Sequence, residues 1–161
     1  MWRPDFEYQE KHTAIMFGAH RRLCIRSYLY RGTPEKPGLV LGLDYGGSCV
    51  GLAFKVASQD EASVRENLRA REMVNNAYIE THRSVKLAGE KSGAEVSALC
   101  YLVNRDHQQY AGHLPLDEQA HIVRNSSGGS GPNKDYVHNT CLHLREMGIR
   151  DRHLEDLLER L

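Results

Sequence analysis

The chain has no surplus of charge of either sign: 21 Lys and Arg residues face 21 Asp and Glu. No net field draws in a polyanion, so nucleic-acid binding as a main role is disfavoured and only a local basic patch stays open. No apolar run approaches the roughly 20 residues that a helical membrane span needs. The opening "MWRPDFEYQE" holds no apolar signal-peptide core. Cysteine is sparse, and Cys24, Cys49, Cys100 and Cys141 form no CxxC pair. Without a secretion signal these are expected to be reduced thiols in a cytoplasm, and the sequon Asn125-Ser126-Ser127 is read as a chance match. No internal repeat is visible.

What is present fits one soluble globular domain over residues 1–161: 40% of residues are apolar and 26% charged. "HTAIMFGAHRRLCIRSY" reads as a strand with a bend near Gly18. "RGTPEKPG", Arg31 to Gly38, is turn chemistry with two prolines and two glycines. "LVLGLD" follows as a short strand, and "YGGS" as a tight connection into the strand "CVGLAFKV". There Val50, Leu52, Phe54 and Val56 make a large apolar face, expected to lie on the core, and Cys49, Gly51 and Ala53 a small one.

"SQDEASVRENLRARE" has helical periodicity through Val64 and Leu68, with Ser58 and Glu61 in capping-box spacing. "YIETHRSVKL" and "AEVSALCYLVN" predict two strands joined by "AGEKSG", the second apolar on both faces and so expected to be central. "PLDEQAHIVRN" is a short helix with Asp117 near its start, and "SSGGSGPN" (Ser126 to Asn133) a Gly/Ser loop. A helix follows from about Asn133 to Met147, with Val137, Cys141 and Leu144 on one face and Gly148 as its stop. Asp151 is placed to cap a last helix with Leu154, Leu157, Leu158 and Leu161 inward. Strands come early and helices late, without βαβ alternation. The predicted class is α+β, a curved, mostly antiparallel sheet or barrel with packed helices.

Candidate sites divide on spacing. The glycines of "SSGGSGPNK" lack G-x-x-x-x-G-K-[ST], so they read better as a connection than as a phosphate cradle. His138, Cys141 and His143 share a helix face only in part and lack a fourth ligand, so packing is preferred to metal binding. Arg21, Arg22, Arg26 and Arg31 either clasp a carboxylate or form a solvated face. No local nucleophilic triad pattern is present. Glu72 ends a helix just before the break at Asn75-Asn76. It is either a solvated carboxylate or one projecting into a cleft, and spacing alone favours the solvated reading.

Several runs, taken in order, resemble the ChaC family of glutathione-specific γ-glutamylcyclotransferases: "RGTPEKPGLVLGLDYGGSCVGLAFKV", "REMVNNAY", "SGPNKDYV" and "GIRDRHLEDL". The upstream "GAHRRLC" is similar to the family's Gly-aromatic-x-Arg-Arg-aromatic segment, with Leu23 replacing the aromatic. The resemblance covers essentially the whole chain. It implies a small β-barrel with flanking helices and a single catalytic Glu in the Arg-Glu motif, which by position is Glu72. The implied reaction converts glutathione to 5-oxoproline and cysteinylglycine, with no cofactor and no metal. The expected substrate contacts are Tyr78 and Tyr136, at family aromatic positions where packing is the alternative role, and Arg31. Asp135 stands where the family more usually has Glu, keeping the charge with a shorter reach.

One departure is larger. Family members begin with a strand leading into a Tyr-Gly-Ser-Leu loop, thought to bind the γ-glutamyl group. "MWRPDF" starts where that loop ends, so the chain is expected to lack the first strand, with Met1 an internal methionine of a longer frame or the start of a truncated relative. The alternatives to glutathione cleavage are therefore another γ-glutamyl substrate, or a non-catalytic ligand- or partner-binding protein.

Overall fold

The computed structural model describes residues 4–89 and 93–161. The first three residues and the centre of the "AGEKSG" connection lie outside that range. The chain forms two compact units, one of Met1–Arg21 with Leu43–Asn104 and one of Arg22–Gly42 with Arg105–Leu161. Two long strands, β1 (Glu10–Ser27) and β2 (Gly38–Lys55), contribute residues to both.

The first unit is built on a closed mixed barrel of order β1-β2-β4-β3, where β3 is Tyr78–Leu87 and β4 is Glu95–Val103. β3 runs antiparallel to both β1 and β4, in register Met16↔Val85 and Glu80↔Tyr101, and β2 pairs parallel to β4 at Leu43↔Leu102. Alternate residues share a face. Ala14, Met16, Ala19, Val85, Leu87 and Leu102 form the buried core, with Leu43, Ala53, Ala98 and Cys100 against it.

Small side chains recur in that core because a four-stranded barrel has a narrow interior. This reverses the expectation for "CVGLAFKV". Ala53, from the small face, packs against the core, whereas Val50, Leu52, Phe54 and Val56, half-buried like Ala53, do not belong to that cluster. Phe54 instead meets the rings of Phe6 and Tyr8 edge-on, with centroids 6.0 and 5.0 Å away. The "YGGS" connection is likewise absorbed into one continuous strand. Gly46 and Gly47, at φ of 95° and 68°, bend β2 there without ending it.

Helix α1 spans Glu61–Glu72 and starts from Asp60, with no side-chain cap. Ser58 falls outside it because the chain turns first, Asp60 N–H donating to Ala57 O, so the expected capping box does not form. α1 buries none of its residues. Only Val64, Arg65, Leu68 and Glu72 are half-buried.

The second unit holds α2 (Leu116–Asn125), α3 (Asn133–Glu146) and α4 (Arg152–Leu158), which contact one another pairwise. Val123, Val137, Leu154 and Leu157 are at most 2% exposed, each contributing roughly 1.5–3 kcal/mol of burial. Gly148 at φ 70° stops α3, and Asp151 caps α4 by accepting from Leu154 N–H at 3.2 Å, both as the sequence predicts. Leu158 and Leu161 stay half-buried.

The expected Gly/Ser loop is instead a small hairpin of β5 (Ser127–Gly128) and β6 (Gly131–Pro132). Its turn amides, Gly129 N–H and Ser130 N–H, donate to Leu29 O and Tyr30 O. A Cβ on Gly128 would come within 2.6 Å of Gly32 N, so this approach of two backbones requires glycine. Asn133, fully buried, completes the connection. Its side chain donates to Leu39 O at 2.8 Å and accepts from Leu39 N–H at 2.7 Å, replacing a strand neighbour.

Candidate active site

In the first unit the strand register sorts the side chains. Ile79 pairs with Leu102 and Val85 with Val96, on the face of the buried core. Tyr78 and Glu80, and Tyr101 opposite Glu80, therefore lie on the other face of the β3–β4 pair. Arg65 and Arg69 of α1 reach Glu80, so this is the face α1 covers.

Glu72 is the last residue of α1, and Met73 N–H closes the helix on Arg69 O. The break after it is held by short polar contacts. Asn76 takes φ 60°, Asn75 Oδ1 accepts from Ala77 N–H at 3.2 Å, and Asn104 Nδ2 donates to Asn76 O at 3.1 Å. Asn104 N–H also donates to Ala77 O, tying the break to the end of β4 just before Tyr78 opens β3. The Glu72 side chain keeps 25% of its exposure, and its Oε1 accepts from Arg71 Nε at 3.1 Å. Arg71 also donates to Asp5 at 2.9 Å.

A second carboxylate, which the spacing did not single out, stands on the same face. Glu80 is 10% exposed and accepts five hydrogen bonds. Arg65 donates twice to Oε1, at 3.0 and 2.6 Å. Arg69 spans both oxygens, at 2.9 and 2.8 Å, and the Tyr101 hydroxyl donates at 3.1 Å. Hydrogen bonding from Arg69 is the main cause holding Glu80 at a pKa of about 2, with burial opposing and Arg65 and Tyr101 adding to it. Tyr101 is pushed up to about 12, chiefly by burial, then by Glu80, with the charge of Glu72 contributing.

These two carboxylates differ chemically. One held near pKa 2 is a poor proton acceptor at neutral pH, and with its lone pairs engaged it serves as a structural anion. Glu72 ion-pairs with its exposed neighbour and retains access to solvent. Local signals for the Glu80 cluster exist in part, since Arg65, Arg69 and Glu72 follow at i, i+4 and i+7 on one helix face. The pairing of Glu80 with Tyr101 has none.

The other expected contacts, Arg31 and Tyr136, come together in the second unit. The Arg31 guanidinium lies 5.4 Å from the Tyr136 ring centroid and donates to Ser130 O at 2.6 Å, bracing the hairpin. Tyr136, in the first turn of α3, accepts from Leu41 N–H at 3.0 Å. Asp135 beside it is exposed. Of the residues weighed as metal ligands, Cys141 is buried with its thiol on Leu154 O at 3.6 Å, whereas His138 is exposed. Among the described residues no group of three or more His, Cys, Asp or Glu side chains is arranged to hold a metal, and no helix is long and apolar enough to cross a membrane.

Comparison with known proteins agrees with this architecture. The chain is 30% identical over 158 residues to the glutathione-specific γ-glutamylcyclotransferase of Escherichia coli K12, covering 98% of this chain and 67% of that protein. It is 26% identical to the human glutathione-specific γ-glutamylcyclotransferase 1, covering 99% of this chain and 73% of the relative. The crystal structure of the yeast γ-glutamylcyclotransferase specific to glutathione superposes with a TM-score of 0.83 at 23% identity, over 98% of this chain and 91% of that one. It shares the fold. The ChaC-like protein family model matches residues 1–161, and the chain belongs to that family.

Proposed function

We propose that this protein is a γ-glutamylcyclotransferase that cleaves glutathione to 5-oxoproline and cysteinylglycine, with Glu72 carrying the proton. The observation behind the assignment is the contrast between two neighbouring carboxylates: Glu80 is locked as an anion, while Glu72, at the end of α1, has an ion pair it can exchange. The names of the E. coli and human relatives supply the substrate.

The reaction needs little apparatus. The nucleophile is the substrate's own α-amino group, which attacks the γ-carbonyl carbon and closes a five-membered ring. Intramolecular attack gains most of its advantage from orientation, provided the substrate is held folded. A peptide α-amine of pKa ~8 is largely protonated at neutral pH and cannot attack. That ammonium first gives up one proton to solvent, and Glu72 takes a second from the resulting neutral amine as the new C–N bond forms. It then returns the proton to the cysteinyl nitrogen as the original amide bond breaks. Atoms balance without water, and the carboxylate ends as it began. Tyr78, which opens β3 in the same unit as Glu72, is assigned as a substrate contact.

Release of 5-oxoproline from reduced glutathione by the wild-type chain tests the proposal, with Glu72→Gln as control. Loss of general acid–base help predicts a fall in kcat of about 10²–10⁴-fold, with an unchanged far-UV CD spectrum. Equal rates from the two proteins would remove Glu72 from the mechanism.

A further inference from the structure

The helix that carries Glu72 is poorly held by apolar packing. α1 buries none of its 12 residues, its N-terminus has no side-chain cap, and its inward stripe is only half-buried. A helix of this length is marginal by itself in water. Something else must fix its C-terminal end, because a catalytic carboxylate misplaced by about 1 Å can cost about 10²-fold in rate.

Four guanidinium hydrogen bonds attach α1 to β3. Arg65 and Arg69 close on one carboxylate, Glu80, which is itself held from β4 by the Tyr101 hydroxyl. Arg65, Arg69 and Glu72 lie within about 60° of one another around the helix, given 100° per residue. Glu72 follows Arg69 by about 4.5 Å along the axis. A grip on the first two side chains therefore sets both the rotation and the height at which the third emerges. Arg69 spans both carboxylate oxygens, and that two-pronged geometry resists rotation in a way a single contact does not.

We propose that Glu80 is a positioning residue for turnover: gripped by Arg65 and Arg69, it anchors the end of α1 so that Glu72 meets the substrate amine. This rests on the functional reading above. Glu80 itself does not touch the reacting atoms in this account.

Glu80→Gln keeps the size of the side chain and removes the anion. Its kcat for glutathione is expected to fall about 10–100-fold with KM changed less than about threefold, the pattern of a displaced catalytic group. Backbone amide exchange should accelerate about tenfold or more across residues 61–72 and stay within about twofold in β3 and β4. The double variant Arg65→Gln/Arg69→Gln should reproduce both effects, and adding Glu80→Gln to it should change nothing further. A kcat within about twofold of wild type would overturn the proposal. So would exchange that rises equally in α1, β3 and β4, since Glu80 would then serve the fold as a whole. If the wild-type chain releases no 5-oxoproline, the functional reading fails, and the exchange pattern still decides whether Glu80 anchors the helix.

Discussion

Replacing Asn133 with Ala should cost the second unit more stability than any exposed substitution. The Asn133 amide is fully buried and makes two hydrogen bonds to Leu39, also fully buried: N–H to Oδ1 at 2.7 Å and Nδ2 to O at 2.8 Å. Ala removes both and leaves a buried backbone donor and acceptor to find partners elsewhere. Each such loss costs about 1–3 kcal/mol, so a total of about 2–6 kcal/mol is expected. In a chain of this length that corresponds to a Tm lower by on the order of 10 °C. Asn133→Asp is the sharper variant, because it keeps the volume and the acceptor but turns a carboxylate oxygen toward Leu39 O. It should be at least as destabilised as Asn133→Ala at neutral pH. Urea unfolding followed by far-UV CD measures both. A loss below about 1 kcal/mol in the Ala variant would show that the amide is not acting as a substitute strand neighbour.

Two further outcomes follow from the titrating groups. Glu80 has a folded pKa of about 2 against an ordinary 4.5, so the unfolded chain takes up its proton first. The stability Glu80 supplies is complete above about pH 4.5 and is lost as the pH falls toward 2. The stability gap between wild type and Glu80→Gln should therefore be constant at neutral pH and close across that acid window; a gap independent of pH down to 2 would refute the assigned ion pairing. Burial raises the Cys100 and Cys141 thiols to about 11. In the native protein at pH 8, both should react with iodoacetamide about two orders of magnitude more slowly than after unfolding in urea. Peptide mapping that finds either one modified at the unfolded rate would contradict their placement.

Elements with a strong local signal were legible directly. α3 and α4 carry their periodicity, their stop at Gly148 and their cap at Asp151 within a few residues of chain. β3 and β4 were legible from β-branched and apolar content, and the end of α1 at Glu72 from the Asn-Asn break that follows. The inward face of β2 was misjudged because side-chain size suggests burial, whereas a narrow barrel selects Ala53 for its core and leaves Phe54 to Phe6 and Tyr8. The hairpin at residues 127–132 was missed because its partners, Leu29 and Tyr30, lie about a hundred positions away.

By itself the sequence determined the four helices, the strands β3 and β4, the family and the position of the Arg71-Glu72 pair, because periodicity and turn chemistry are local and motif order is linear. The tertiary structure alone decided which carboxylate is locked. The register Glu80↔Tyr101 and the reach of Arg65 and Arg69 across from α1 place five hydrogen bonds on Glu80. That arrangement depends on strand pairing, which brings together side chains that no local pattern connects.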